Sequence, residues 1–169
     1  SAAFAVVATI TLRLLASGPD AGLGELRLPA NEPGSSIMPG KVNPTQAEAL
    51  AMACVQVIGN NTTIAMAGAG GMLELNVYKP LLAHAALQSA RLVADASHSF
   101  TVHCVAGIGA DLPRIAAHVA RSRMLATALA PHIGYDATAR IVHRAIAAGA
   151  TLREAALAEG VSGADFDRW

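Results

Sequence analysis

Between Gly34 and Gln46 the chain reads Gly-Ser-Ser-Ile-Met-Pro-Gly-Lys-Val-Asn-Pro-Thr-Gln. Ser35 and Ser36 supply adjacent hydroxyls, Lys41 an ammonium and Asn43 an amide. Pro33-Gly34 and Pro39-Gly40 are turn dipeptides that keep the segment out of regular structure. A loop with this donor set is suited to holding a small anion. A serine hydroxyl titrates far above neutrality, so it is a poor base until its oxyanion is stabilised. Loop N–H groups and Lys41 can provide that stabilisation in a closed, dry site. The same groups can hold a carboxylate and take up charge as it becomes an enediolate. The chemistry suggested is proton abstraction beside a carboxylate. A phosphate-binding P-loop is excluded, because five residues rather than four separate Gly34 from Gly40, and Val42 rather than Ser or Thr follows Lys41.

The loop must be presented by a helix. Pro44 fits the first helical position, where its missing N–H costs nothing. Asn43 then reads as the N-cap, with Gln46 as its capping-box partner; Thr45 to Glu48 offers a second frame. In either frame the free N–H groups and the positive dipole end face the loop and favour bound carboxylate. Glu48 in the first turn is favoured by the same dipole whether or not it takes part in chemistry.

The rest of the chain reads as helices. Residues 1–17 form a helix end and 18–43 a long loop. Ala47, Leu50, Ala51, Cys54, Val57 and Ile58 recur at helical spacing, and Gly68, Gly70 and Gly71 stop that helix. A second long helix carries Tyr78, Leu81, Leu82, Ala85, Leu92, Ala96 and Phe100, with Pro80 near its start. Beyond Gly107 to Pro113 the segments shorten. Asp136 can cap a helix that Gly149 stops. Thr151 with Glu154 forms a capping-box pattern, and Ser162 with Asp165 starts another helix. No period-two alternation survives over a useful length, so strands are not expected. The expected fold is all-α: a long-helix bundle over 1–106 that includes the loop 31–44, and a small helical C-terminal domain over 107–169. The glycines and prolines of the loop leave few local hydrogen bonds, so it is expected to be mobile.

Formal net charge is zero, so nothing points to nucleic acid or an acidic membrane surface. Hydrophobic residues make up 53% and charged residues 14%, with mean hydropathy +0.43. The apolar run Ala2 to Leu12 ends at Arg13, short of the roughly 20 residues a membrane span needs. The surplus apolar surface therefore predicts helices covered by other chains in an oligomer. Cys54 and Cys104 lack metal-ligand spacing and read as buried free thiols in a reducing compartment, the cytoplasm. His84 and His103 on apolar helices read as core or interface residues, and Glu74, Asn76 and Lys79 as polar groups satisfied within the bundle.

The loop resembles the signature loop of the fumarase/aspartase superfamily. Gly71-Met72-Leu73-Glu74-Leu75-Asn76-Val77-Tyr78-Lys79-Pro80 is similar to the superfamily's G-x-F-E-L-N-V-F-K-P run. Arg91 to Asp95 and Pro131 to Asp136 also resemble class II fumarases. Asn43-Pro44-Thr45-Gln46 and Glu74-Leu75-Asn76 favour fumarase over aspartase. The resemblance implies reversible hydration of fumarate to L-malate. It implies Ser35 as the base that removes the C3 proton of malate. Ser36, Lys41, Val42 and Asn43 are implied as substrate-binding residues for the carboxylates and the aci-carboxylate intermediate. Glu48 is implied to orient a histidine that activates water. No metal and no cofactor are implied, and the implied assembly is a homotetramer.

The histidine belongs to an H-T motif upstream of the loop, and none of His84, His98, His103, His118, His132 or His143 lies in such a motif. The chain thus resembles the carboxyl-terminal part, and it is expected not to hydrate fumarate alone. Local departures fall at Ile10 and Thr11, where the superfamily has Asn and Asp, at Asp20, where it has Arg, and at Gly107 to Asp111. These leave two alternatives open: an aspartase-like or related succinyl lyase, and a non-catalytic helical oligomerisation module.

Overall fold

The two long apolar patterns become two helices of 25 residues each, α2 (Thr45–Ala69) and α3 (Lys79–His103), preceded by α1 (Ala2–Leu15). The computed structural model describes residues 1–18 and 20–169, and Pro19 lies outside the described residues. The chain divides into two compact units, Ser1–Asp111 and Leu112–Trp169.

In the first unit α2 packs against both α1 and α3. The residues buried there are mostly small: Ala47, Leu50, Cys54, Ala67, Ala85 and Cys104. Small side chains let helix backbones approach closely, and close approach makes register matter. A polar network fixes that register. Asn60 is only 6% exposed. Its Nδ2 donates to Gln88 Oε1 at 2.9 Å and Ser89 Oγ at 3.0 Å, and its Oδ1 accepts from Gln56 Nε2 at 3.0 Å. Sliding α2 past α3 by one turn would strand these buried groups, a cost of about 1–3 kcal/mol each. Cys54 and Cys104 are buried free thiols, and burial pushes the Cys104 thiol above its ordinary value.

Between α2 and α3 the chain makes a tight turn in which Met72 and Leu75 exchange both backbone hydrogen bonds. Leu73 and Glu74 at its tip have φ of 46° and 64°, a conformation that costs non-glycine residues about 1–2 kcal/mol. Asn76 ties this turn to α2 by donating to Ala67 O at 2.9 Å, and its Oδ1 accepts from Tyr78 N at 2.8 Å. Glu74, Lys79, His84 and His103 are exposed in this chain.

A seam joins the segment before the loop to the end of α3. Two-residue strands β1 (Leu26–Arg27) and β2 (Gly109–Ala110) pair antiparallel, Leu26 opposite Ala110. Arg27 bridges Asp111 at 3.1 Å, and Asn31 Nδ2 donates to His103 O at 2.9 Å. Gly107 is required here, since a Cβ would lie 2.5 Å from Pro29 Cγ. This ladder corrects the expectation of no strands: two residues per strand carry no readable alternation. It also keeps residues 107–111 with the first unit, whereas the change in character placed the boundary near 106.

The second unit holds α4 (Leu112–Ala120), a 3₁₀ turn (Arg123–Ala128), α5 (Ala130–Ile133), α6 (Tyr135–Ala148), α7 (Leu152–Ala158) and α8 (Gly163–Arg168). Its core is Ala126, Leu129, Ile141, Ala145, Leu152, Ala155 and Ala156, with Phe166 and Trp169 packed against it. Thr151 and Glu154 form the full capping box, and Ser162 Oγ caps α8 by accepting from Asp165 N. Gly149 ends α6 in the left-handed region at φ 62°. Asp136 is not a cap. Gly134 takes that position at φ 82°, and Asp136 falls inside the first turn.

Among the described residues α2 is, by length and composition, long and apolar enough to cross a membrane. It also carries Glu48, Gln56, Asn60 and Asn61 and packs against two helices, which is the character of a bundle helix.

The second unit should be acid-sensitive. The Thr151 backbone N–H, then its hydroxyl, hold the Glu154 carboxyl below its ordinary 4.5, and hydrogen bonding to Arg153 does the same for Asp167. A lowered folded value gives stability that is present above the unfolded value and lost as pH falls through the folded one. Melting temperature is expected to hold from pH 7 to about 5 and to fall below about 4.5. Glu154→Gln, which keeps the cap, should flatten that fall, and Thr151→Ala should cost about 1 kcal/mol at pH 7 in urea unfolding.

Candidate active site

The loop is closed by one backbone hydrogen bond, from Gly34 N to Lys41 O at 2.9 Å. Gly34 is also held from its other side, where Asn43 Nδ2 donates to Gly34 O at 3.0 Å. Any side chain at position 34 would collide, because a Cβ would stand 2.5 Å from Lys41 O. Gly40, at φ 78°, turns the chain back toward the closure. Lys41 N donates to Met38 O at 3.4 Å within the same turn. The loop therefore carries more internal hydrogen bonding than its composition suggests.

Inside the closure lies Ser35, half-buried. Its Oγ accepts hydrogen bonds from Ile37 N and Met38 N, each at 3.2 Å. An oxygen that accepts two backbone N–H groups gains most as an anion, when both become charge-assisted. These two donors would favour loss of the Ser35 proton where water is excluded. Ser36, Lys41 and Val42 are exposed. The Ser36 hydroxyl and the Lys41 ammonium have no hydrogen-bond partner among the described residues, so their donors are available to a ligand.

The helix that follows corrects the expected cap. α2 begins at Thr45 with Pro44 in the cap position and no side-chain cap bond. Asn43 spends its amide across the loop instead, and Gln46 Oε1 accepts from Ser99 Oγ at 2.8 Å on α3. The second frame fails too, because Thr45 Oγ1 is buried without a partner. The first-turn N–H groups of α2 therefore lack side-chain caps, and the carboxylate of that turn is Glu48.

Glu48 is half-buried and does not join the loop hydroxyls. It pairs with Arg13 in the last turn of α1, Nη2 to Oε1 at 3.1 Å. Reading the sequence for chemistry missed Arg13. The available signal was dipole complementarity, a cation ending one helix and a carboxylate opening the next. Asp20 is exposed.

A lyase family profile matches residues 9–59, and a profile of the fumarase C C-terminus matches residues 125–169. A class II fumarate hydratase of Pseudomonas syringae is 60% identical over 159 residues, 94% of this chain and 34% of the relative. Over nearly its whole length the chain is similar to class II fumarases. It spans about a third of the length of the curated relatives it matches. Among solved structures, a cobalt-bound fumarate lyase:delta crystallin from Brucella melitensis superposes with TM-score 0.95 at 44% identity, covering 99% of this chain and 36% of that one. The class II fumarase of Schistosoma mansoni gives TM-score 0.89 at 46% identity, covering 99% and 35%. The all-α, long-helix fold is therefore that of the fumarases.

The shape of the loop should depend on Gly34. Gly34→Ala is expected to break the Gly34–Lys41 closure while helical circular dichroism stays constant. Cleavage between residues 34 and 43 in limited proteolysis should rise about tenfold, as it does where local opening becomes easier. An unchanged cleavage rate would show that the closure does not hold the loop.

Proposed function

We propose that this segment supplies the Ser35 loop of a hydro-lyase that interconverts fumarate and L-malate. The observation that carries the reading is the pair of backbone N–H groups on Ser35 Oγ, in a loop that also carries Lys41 and runs into the uncapped start of α2. In the dehydration direction, ionised Ser35 takes the C3 proton of malate. The electron pair left on C3 delocalises into the neighbouring carboxylate as an aci-carboxylate. Its collapse forms the C2–C3 double bond and expels the C2 hydroxyl, which leaves as water once protonated. Ser36, Lys41, Val42 and Asn43 hold the two carboxylates. Electrostatic preorganisation of this kind is worth a few kcal/mol when water is excluded. Glu48 orients the imidazole that handles the leaving water, and that imidazole comes from outside this segment. The proposed reaction involves neither metal nor cofactor.

Assembly into a homotetramer belongs to the same reading. Phe4, Val7, Ile10 and Leu14 form an exposed stripe along α1, and Met52, Val55 and Met66 are exposed on α2. Helices this apolar are suited to burial against further copies. The free buried thiols fit a reducing cytoplasm.

In the complete protein that carries this segment, Ser35→Ala should lower kcat about a thousandfold, in the range of a lost general base. Full turnover in Ser35→Ala combined with Lys41→Ala would remove the proposal. Malate supplied against aspartate separates a fumarase from an aspartase-like enzyme, since ammonia release from aspartate would replace the hydration reading. The 169-residue polypeptide alone is expected to show no turnover.

A further inference from the structure

Arg13 and Glu48 join the C-terminal end of α1 to the N-terminal end of α2. The guanidinium Nη2 lies 3.1 Å from Glu48 Oε1, and the side chains keep 45% and 37% of their exposure. An ion pair this exposed adds little to stability. What it restricts is geometry. A glutamate has three rotatable side-chain torsions and, left alone at a helix start, populates several rotamers. Arg13 selects one. Both residues also belong to turns where helix dipoles favour their charges, Glu48 in the first turn of α2 and Arg13 in the last turn of α1. The contact engages Oε1, and Oε2 keeps its acceptor capacity.

We propose that Arg13 is a positioning residue for the reaction, fixing the Glu48 carboxylate so that Oε2 can accept the N–H of the water-activating group. The role rests on the reading of Glu48 given under the proposed function. α1 then serves the site directly. Its last turn delivers a cation to the first turn of the helix that follows the catalytic loop. The departures at Ile10 and Thr11 lie on the same helix but leave Arg13 in place.

A double-substitution cycle in the complete protein tests this, with fumarate absorbance as the assay. Arg13→Gln is expected to lower kcat about tenfold with KM changed less than about twofold, the pattern of a lost transition-state contribution. Arg13→Lys, which keeps a cation within reach, should stay within about threefold of the parent. In a Glu48→Gln background, Arg13→Gln should cost less than about twofold more, because residues acting through one another are non-additive. Equal losses in both backgrounds, or no loss in the parent, would overturn the role. Should Arg13→Gln fail to fold, a folded Arg13→Lys that loses tenfold in kcat overturns it as well. Full turnover in Glu48→Gln alone would overturn both this role and the reading of Glu48. The reaction itself is judged separately, by Ser35→Ala.

Discussion

The hydrogen bond from Gly34 N to Lys41 O is the constraint on which the site depends. It closes the loop across its base, and Asn43 reinforces it by gripping Gly34 O. With the base closed, Ile37 and Met38 are forced to turn above Ser35, and their N–H groups converge on its hydroxyl. The arrangement demands a residue without a Cβ at position 34 and a left-handed residue at position 40. The glycines that mark the loop in the sequence are thus steric requirements of one closure. Flexibility is not their use here. Ser35 gains its donors from main chain, which cannot rotate away as a side chain can. A donor fixed in this way needs no reorganisation when charge develops.

How legible this was in the sequence depends on the range of the interaction. The capping box at Thr151 and Glu154, the Ser162 cap and the Gly149 stop were readable, because each is settled within four residues. The extents of α2 and α3 were readable because helical periodicity repeats over many turns. Asn43 was misread for a complementary reason. Its type and its place before Pro44 suit an N-cap, but the loop closure offers the amide a partner nine residues back. Gln46 likewise found Ser99 on another helix. Asp136 was displaced from its cap by Gly134, whose positive φ already sets the helix entry. Polar side chains with a local option and a tertiary option cannot be assigned from spacing alone. The β1–β2 ladder lies wholly in the second class, since nothing within either two-residue strand announces its partner.

The first unit shows why its composition is oily without a large core. Its buried residues are mainly alanines, cysteines and polar groups, while Phe4, Val7, Ile10, Leu14, Met52 and Met66 face outward. Alanine-lined contacts bring α1, α2 and α3 close but remove little apolar area per residue, at about 25 cal/mol per Å². Specificity then rests on the Asn60 network, which accepts one pairing of α2 with α3 and penalises others. The large side chains are left on the outside, where the proposed assembly would cover them. A bundle divided in this way sets its helix register with its own buried polar groups.

The same division applies to the chemistry. Ser35 is only half-buried, and Ser36, Lys41 and Val42 are exposed. In that setting water screens the Lys41 charge, and an oxyanion at Ser35 gains little, because interaction energies scale inversely with the local dielectric. The segment fixes the directions of its donors through Gly34, Gly40 and Asn43. It does not supply the low dielectric that makes those donors strong. In the proposed reaction, surfaces that cover the loop would supply it and would also bring the imidazole to Glu48. Geometry built by one segment and desolvation supplied by others make the site an all-or-none assembly. For the proposed proton abstraction, a correctly folded loop is then necessary and insufficient. The closure at Gly34 is made of backbone and takes no partner from outside the loop.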